Sequence, residues 1–170
     1  MTTETAAPPA NASNGELIRW TFEQQNKRDP QLLAQLWTDE TRVRFPDGEY
    51  VGRRAIVAYF EHAFAAMPDW HMRVEQIVEQ DEHVFVHWHL TGTHSGSPFQ
   101  GIEATGNEIA LDGIDHFVVR DGKVASNFVV FDQMQFARQI GMMPEDGSGA
   151  DKAMKAAFNA KTKLQKRFSG

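Results

Sequence analysis

Gly113 to Asp132 reads GIDHFVVRDGKVASNFVVFD, and its pattern is that of two strands around an Asp121-Gly122 turn. Asp-Gly favours a two-residue hairpin because both positions tolerate positive φ, which matches the right-handed twist of the flanking strands. Regular pairing across that turn sets Val119 opposite Val124, Phe117 opposite Ser126 and Asp115 opposite Phe128. Side chains alternate between faces, so without a bulge Asp115, Phe117, Val119, Val124, Ser126, Phe128, Val130 and Asp132 share one face. That face is apolar with a carboxylate towards each far end. A carboxylate on a core-facing surface needs a partner, a neutral state or a cavity. The two aspartates are therefore the first functional candidates.

Outward from the hairpin, the rest of the chain supplies strands and then helices. From Trp70 the period is two. Trp70 to Glu79 is one expected strand, Asp81-Glu82 a turn, and His83 to His94 a second strand with Val84, Val86, Trp88 and Leu90 on its apolar side. Gly96 to Gly106 is loop, and Ile109 to Asp112 leads into the hairpin. Upstream, Ser13 with Glu16 forms a capping-box pattern ahead of Leu17 and Trp20. Asp29-Pro30 signals a short second helix, and Arg53 to Ala66 a third that Pro68 ends. Thr41 to Phe45 alternates like a strand. Helices followed by antiparallel strands predict an α+β domain over residues 13–144, with helices on one face of a bent antiparallel sheet. Residues 1–12 are expected to be a disordered tail. Residues 145–170 are expected to be a linker and a basic C-terminal helix.

Composition narrows the function. The 170 residues suit one domain, and the absence of cysteine excludes disulfides, thiolate metal sites and a cysteine nucleophile. No signal-peptide pattern and no spanning run of ~18 apolar residues occurs, so a cytoplasmic protein with no membrane partner is expected. The net charge of −6 divides into +5 from Ala150 onward and −11 before it. An acidic body argues against nucleic acid as a partner. The C-terminal helix, with Met154, Phe158, Lys161, Leu164 and Phe168 on one side, is expected to dock on its own body or on a second subunit.

Five short motifs stand in one order: Met67-Pro68-Asp69, Gly92-Thr93-His94-Ser95-Gly96, Gly101 with Ala104-Thr105-Gly106, Asp121-Gly122-Lys123, and Asp132 ahead of Gln139-Ile140-Gly141. Together they resemble the SnoaL-like polyketide cyclase (ester cyclase) family of the NTF2-like superfamily, over roughly Glu16 to Pro144. The resemblance implies a cone-shaped α+β barrel with three helices closing a pocket. It also implies a cofactor-free intramolecular aldol cyclisation of a small hydrophobic substrate, with one aspartate as acid and base. By motif position that aspartate is Asp132. The family often has Trp where this chain has Phe128, and Arg or His where it has Val118.

Each candidate has a structural alternative. Asp132 is either a base whose pKa burial has raised or the N-cap of a following helix, and capping would lower that pKa. Asp115 is either a second carboxyl of an acid–base pair or a structural hydrogen-bond partner. His94 is expected to face inward and orient or protonate a substrate oxygen, or else to fix a loop. Trp88, Tyr59, Phe117 and Phe128 are expected pocket walls, although core packing is the commoner role of such residues. His87 and His89 share a strand face, but the next acid, Glu103, lies beyond a loop. No metal is therefore expected. Their face, with Phe85 and Thr91, is the expected surface of a homodimer. Rival readings are a hydrolase activating water with Asp115 and Asp132, and a pocket protein that binds without chemistry.

Overall fold

The computed structural model describes residues 7–168, so the disordered-tail expectation for residues 1–6 lies outside the described residues. Along the chain come α1 (Asn14–Gln25), α2 (Pro30–Leu33) with a 3-10 turn at Ala34–Leu36, β1 (Trp37–Phe45), β2 (Gly48–Val51) and α3 (Arg53–Ala66). They are followed by β3 (His71–Gln80), β4 (His83–Thr93), β5 (Glu108–Arg120), β6 (Lys123–Phe131), α4 (Gln133–Gln139) and α5 (Gly149–Phe168). The strands form one curved sheet in the order β2-β1-β6-β5-β4-β3. Its pairs are antiparallel except β1 with β6, which run parallel. The sheet does not close into a barrel, since β2 and β3 are its edges.

Local chemistry places the helices. Ser13 caps α1 with the reciprocal Glu16 bond of a capping box, and Asp29 caps α2 ahead of Pro30. The start of α1 is also tied to the sheet. Glu79 of β3 accepts from Ser13 Oγ at 2.7 Å and from the Asn14 and Gly15 N–H groups at 3.0 Å. A Cβ on residue 15 would lie 2.8 Å from the Glu79 carboxylate, so glycine permits this approach. Ile18 and Phe22 of α1 are buried, as are Ile56, Phe60 and Phe64 of α3. Full burial of side chains of this size contributes ~1.5–3 kcal/mol each.

The hairpin forms at the expected turn, with Asp121 and Gly122 both at positive φ. Its register differs from the regular one in a single place. Val119 pairs with Val124 but Val118 pairs with Ser126, which leaves Ala125 as an extra residue. This β-bulge reverses the faces of β6 beyond it. Asn127 and Val129 are buried on the concave side, whereas Phe128 and Val130 are exposed on the other. The shared face predicted for Asp115, Phe128, Val130 and Asp132 is therefore corrected. Asp115 pairs with Val129.

Candidate functional site

The concave side of the sheet, with α1 and α3 against it, encloses a cavity of about 80 Å³. Its wall is mostly aromatic and aliphatic. Tyr59 and Phe45 stack at 3.8 Å, and Phe117 meets Phe22 edge-on at 6.2 Å. Phe99 of the β4–β5 loop and Phe136 of α4 line the cavity with ring centroids 6.3 Å apart. Among the described residues that line it, Asp115 is the one carboxylate.

Asp115 is held from two strands. Trp88 of β4 donates Nε1–H to Oδ1 at 2.8 Å, and Asn127 of β6 donates Nδ2–H to Oδ2 at 2.8 Å. Gly113, directly across from Trp88, makes the first bond sterically feasible. A Cβ there would lie 2.1 Å from Trp88 Cζ2, so the indole lies over bare backbone. The carboxyl is 6% exposed, and burial pushes its pKa up to about 6, opposed by the bonds from Asn127 and Trp88. A carboxyl at that value is mostly ionised at neutral pH, yet can hold a proton it has taken. Burial is also the main reason the Tyr59 hydroxyl is pushed well above its ordinary value, with smaller contributions from the Asp47, Tyr50 and Asp115 charges.

The structure gathers Asp115, Trp88, Tyr59 and Phe117 around one cavity. It does not bring the other three expected site residues there. Asp132 is exposed and caps α4, accepting from the Met134 and Gln135 N–H groups at 2.9 and 3.0 Å. The bulge at Ala125 leaves it on the convex side, in a shallow groove that also includes Phe128. Asp115 and Asp132 therefore do not form the pair that water activation would use. His94 is buried as expected, but it does not line the cavity, and neither ring nitrogen has a hydrogen-bond partner among the described residues. Its backbone ties the β4–β5 loop, donating to Asn107 O and accepting from the Gly106 N–H.

Among the cavity-lining residues not singled out from the sequence are Asn127, Trp70 and Gln25. Each has a buried polar atom without a partner among the described residues, namely Asn127 Oδ1, Trp70 Nε1 and Gln25 Oε1. Asn127 would have stood out had a bulge been assumed. Trp70 and Gln25 sit at element boundaries, where periodicity assigns no face. Among the described residues no group of three His, Asp or Glu side chains is placed to hold a metal ion. His89 instead approaches Asp112 at 3.0 Å on the outer face, with His87 3.8 Å from the same oxygen.

A curved α+β sheet whose helices enclose an apolar cavity around one buried carboxylate defines an NTF2-like pocket protein. The family model for the SnoaL-like domain matches residues 18–127, and the chain belongs to that family. Among curated proteins no match was found. Solved structures give the fold at low identity. AclR of Streptomyces galilaeus, described as a candidate hydroxylase, has TM-score 0.66 and 20% identity over 88% of this chain and 92% of its own. A candidate SnoaL-like polyketide cyclase from Jannaschia sp. CCS1 has TM-score 0.66 and 19% identity, covering 80% of this chain and 100% of its own. IdmH of Streptomyces antibioticus, a candidate polyketide cyclase, has TM-score 0.61 and 22% identity, covering 73% and 95%.

Proposed function

We propose that this chain is a cofactor-independent cyclase or isomerase doing acid–base chemistry at a carbonyl of a hydrophobic, polyketide-like substrate, with Asp115 as the base. One observation carries the reading: a buried carboxyl with pKa about 6, held by Trp88 and Asn127 inside an aromatic cavity. Membership of the SnoaL-like family, whose fold neighbours include a protein described as a candidate SnoaL-like polyketide cyclase, supports the reaction class.

In this reading Asp115 takes a proton from the carbon beside a carbonyl, and the C–H electron pair moves into an enolate. In the aldol case the enolate carbon attacks a second carbonyl, a C–C bond forms, and Asp115 returns its proton to the new alkoxide. In the isomerase case the proton returns to a different carbon. The enolate oxygen needs a donor in a dry site. Trp70 is our candidate, since it lines the cavity and its buried N–H has no partner among the described residues. Asn127 and Trp88 position the base. A polycyclic substrate needs more than about 80 Å³, because ligand pockets typically measure roughly 300–1,000 Å³. Phe99 and Phe136 are the wall residues we assign to opening.

The test uses 2-tetralone, whose α-hydrogens enolise readily, in deuterated buffer followed by NMR. Wild-type protein should accelerate α-exchange, and Asp115→Asn should slow it by ~10²–10⁴-fold, the usual contribution of a positioned general base. The wild-type rate should rise with pH and level off above about 6, as the carboxyl ionises. Equal exchange by both proteins would remove Asp115 as the base. Tight binding of tetralone without exchange by either protein would favour a binding protein.

A further inference from the structure

The last twenty residues of the described chain form a largely exposed helix. In α5 no residue after Asp151 is buried. Met154, Phe158, Leu164 and Phe168 are 39%, 69%, 57% and 82% exposed. At 100° per residue these four fall within one stripe with Lys161 among them, while Lys152, Lys155, Lys163, Lys166 and Arg167 occupy the opposite side. Most of the stability of helices in proteins comes from packing of an amphipathic face. The root of α5 is pinned. Asp146 in the linker accepts from Lys155 at 3.0 Å and from Arg138 of α4 at 3.4 Å, and Asp151 accepts from the Gly147 N–H at 3.0 Å. The helix therefore leaves the body in a set direction, with Met154, Phe158, Leu164 and Phe168 exposed along one side.

A second apolar surface is also uncovered. The convex face of the sheet carries a groove containing Phe85, Ile114, Phe128 and Val130, which are 43–50% exposed. Asp112 and Asp132 lie in the same groove.

We propose that α5 is an exchanged arm, with its apolar stripe seated in the convex-face groove of a second copy of this chain. Charge favours that occupant. The chain from Ala150 onward carries +5, and everything before it carries −11. An arm of that charge is attracted to the body of another copy, whereas an anionic membrane would repel the −11 body that accompanies the arm. Size agrees as well. A helix of twenty residues is about 30 Å long and 10 Å wide, so two reciprocal contacts, both surfaces counted, cover on the order of 1,200 Å². Exchanged reciprocally across a two-fold axis, the two arm–groove contacts together form one isologous interface, which closes the assembly at two copies.

Full-length protein should sediment as a dimer at micromolar concentration. Phe158→Glu with Leu164→Glu spoils the arm, and Ile114→Arg spoils the groove; all three positions are exposed, so the fold should persist by circular dichroism. Each variant alone should dissociate with a Kd raised at least ~30-fold, the effect of losing a buried interface anchor. An equimolar mixture of the two variants retains one intact arm and one intact groove, so it should associate more tightly than either alone. No gain on mixing overturns the exchange. A dimer that survives the arm substitutions also overturns it and points to sheet faces pairing directly. A monomeric wild type overturns it too. If that monomer co-sediments with vesicles of phosphatidylcholine and phosphatidylserine (7:3), and the arm variant does not, α5 is a membrane-surface helix instead.

Discussion

Asp115, the proposed base, carries a cost in stability. Its folded pKa of about 6 lies above the ordinary 3.8, so the native state binds this proton more tightly than the unfolded chain does. The sign follows from linkage: its contribution to stability is fully present below about pH 4, is lost as pH rises to about 6, and is flat above that. A shift of this size corresponds to roughly 2–3 kcal/mol at neutral pH. Asp115→Asn has no charge to bury. Its Oδ1 can accept from Trp88, and its NH₂ can donate to Asn127 once that amide turns over. We expect the variant to be more stable than wild type at pH 7.5, with the gain shrinking as pH falls from 6 to 4. Urea denaturation of both proteins at several pH values measures this difference and cancels the other titrating groups. A constant difference across that window would mean that the carboxyl is not the strained group.

At the scale of elements, the site depends on a strand crossing that leaves no room for a side chain. Gly113→Ala would place a methyl 2.1 Å from the Trp88 ring, so the indole must shift and its bond to Asp115 must break. Overpacking of this kind costs ~1–3 kcal/mol. Thermal melting should show the loss, and tetralone exchange should fall with it. Unchanged stability would show that the indole has space elsewhere. The elements themselves were largely legible in the sequence. The caps at Ser13 and Asp29, the helix from Arg53 to Ala66 and the Asp121-Gly122 turn all form where chemistry placed them. Asp115, Trp88, Phe117 and Tyr59 were legible as pocket residues because inward parity or a helix stripe marked them. Beyond the hairpin turn that parity failed. Ala125 leaves no local mark of a bulge, and one extra residue moved Phe128 outside and brought in Asn127. Asp132 illustrates a different ambiguity. An aspartate ahead of a helix reads equally as a base or a cap until its neighbours are placed, and here it accepts two backbone bonds.

For the molecule as a whole, acid stability should be set by carboxylates that tie its layers together. Glu79 joins the start of α1 to edge strand β3, and the Ser13 hydroxyl, then the Gly15 and Asn14 N–H groups, hold its pKa below the usual range. Asp69, in the turn after α3, accepts from the Thr93 hydroxyl and N–H at 2.7 Å, and those bonds likewise depress its pKa. Depressed carboxyls act opposite to Asp115. Their contribution is present above the ordinary carboxyl range and is lost as pH falls through the folded values. Wild-type stability should therefore decline on the acid side as α1 and the β4 end come loose, even while Asp115 is most comfortable protonated. Glu79→Gln isolates one of these ties. It retains shape but loses the negative charge at a helix N-terminus, where capping carboxylates typically contribute about 1 kcal/mol. The variant should melt below wild type at pH 7, and the two curves should converge as pH falls through the depressed folded pKa of Glu79, where the wild-type carboxyl takes up its proton. Hydrogen exchange should report the same change locally, with faster exchange of the α1 amides in the variant and no change in β5. A variant that matches wild type at pH 7 would show that the Ser13 capping box alone holds α1 in place.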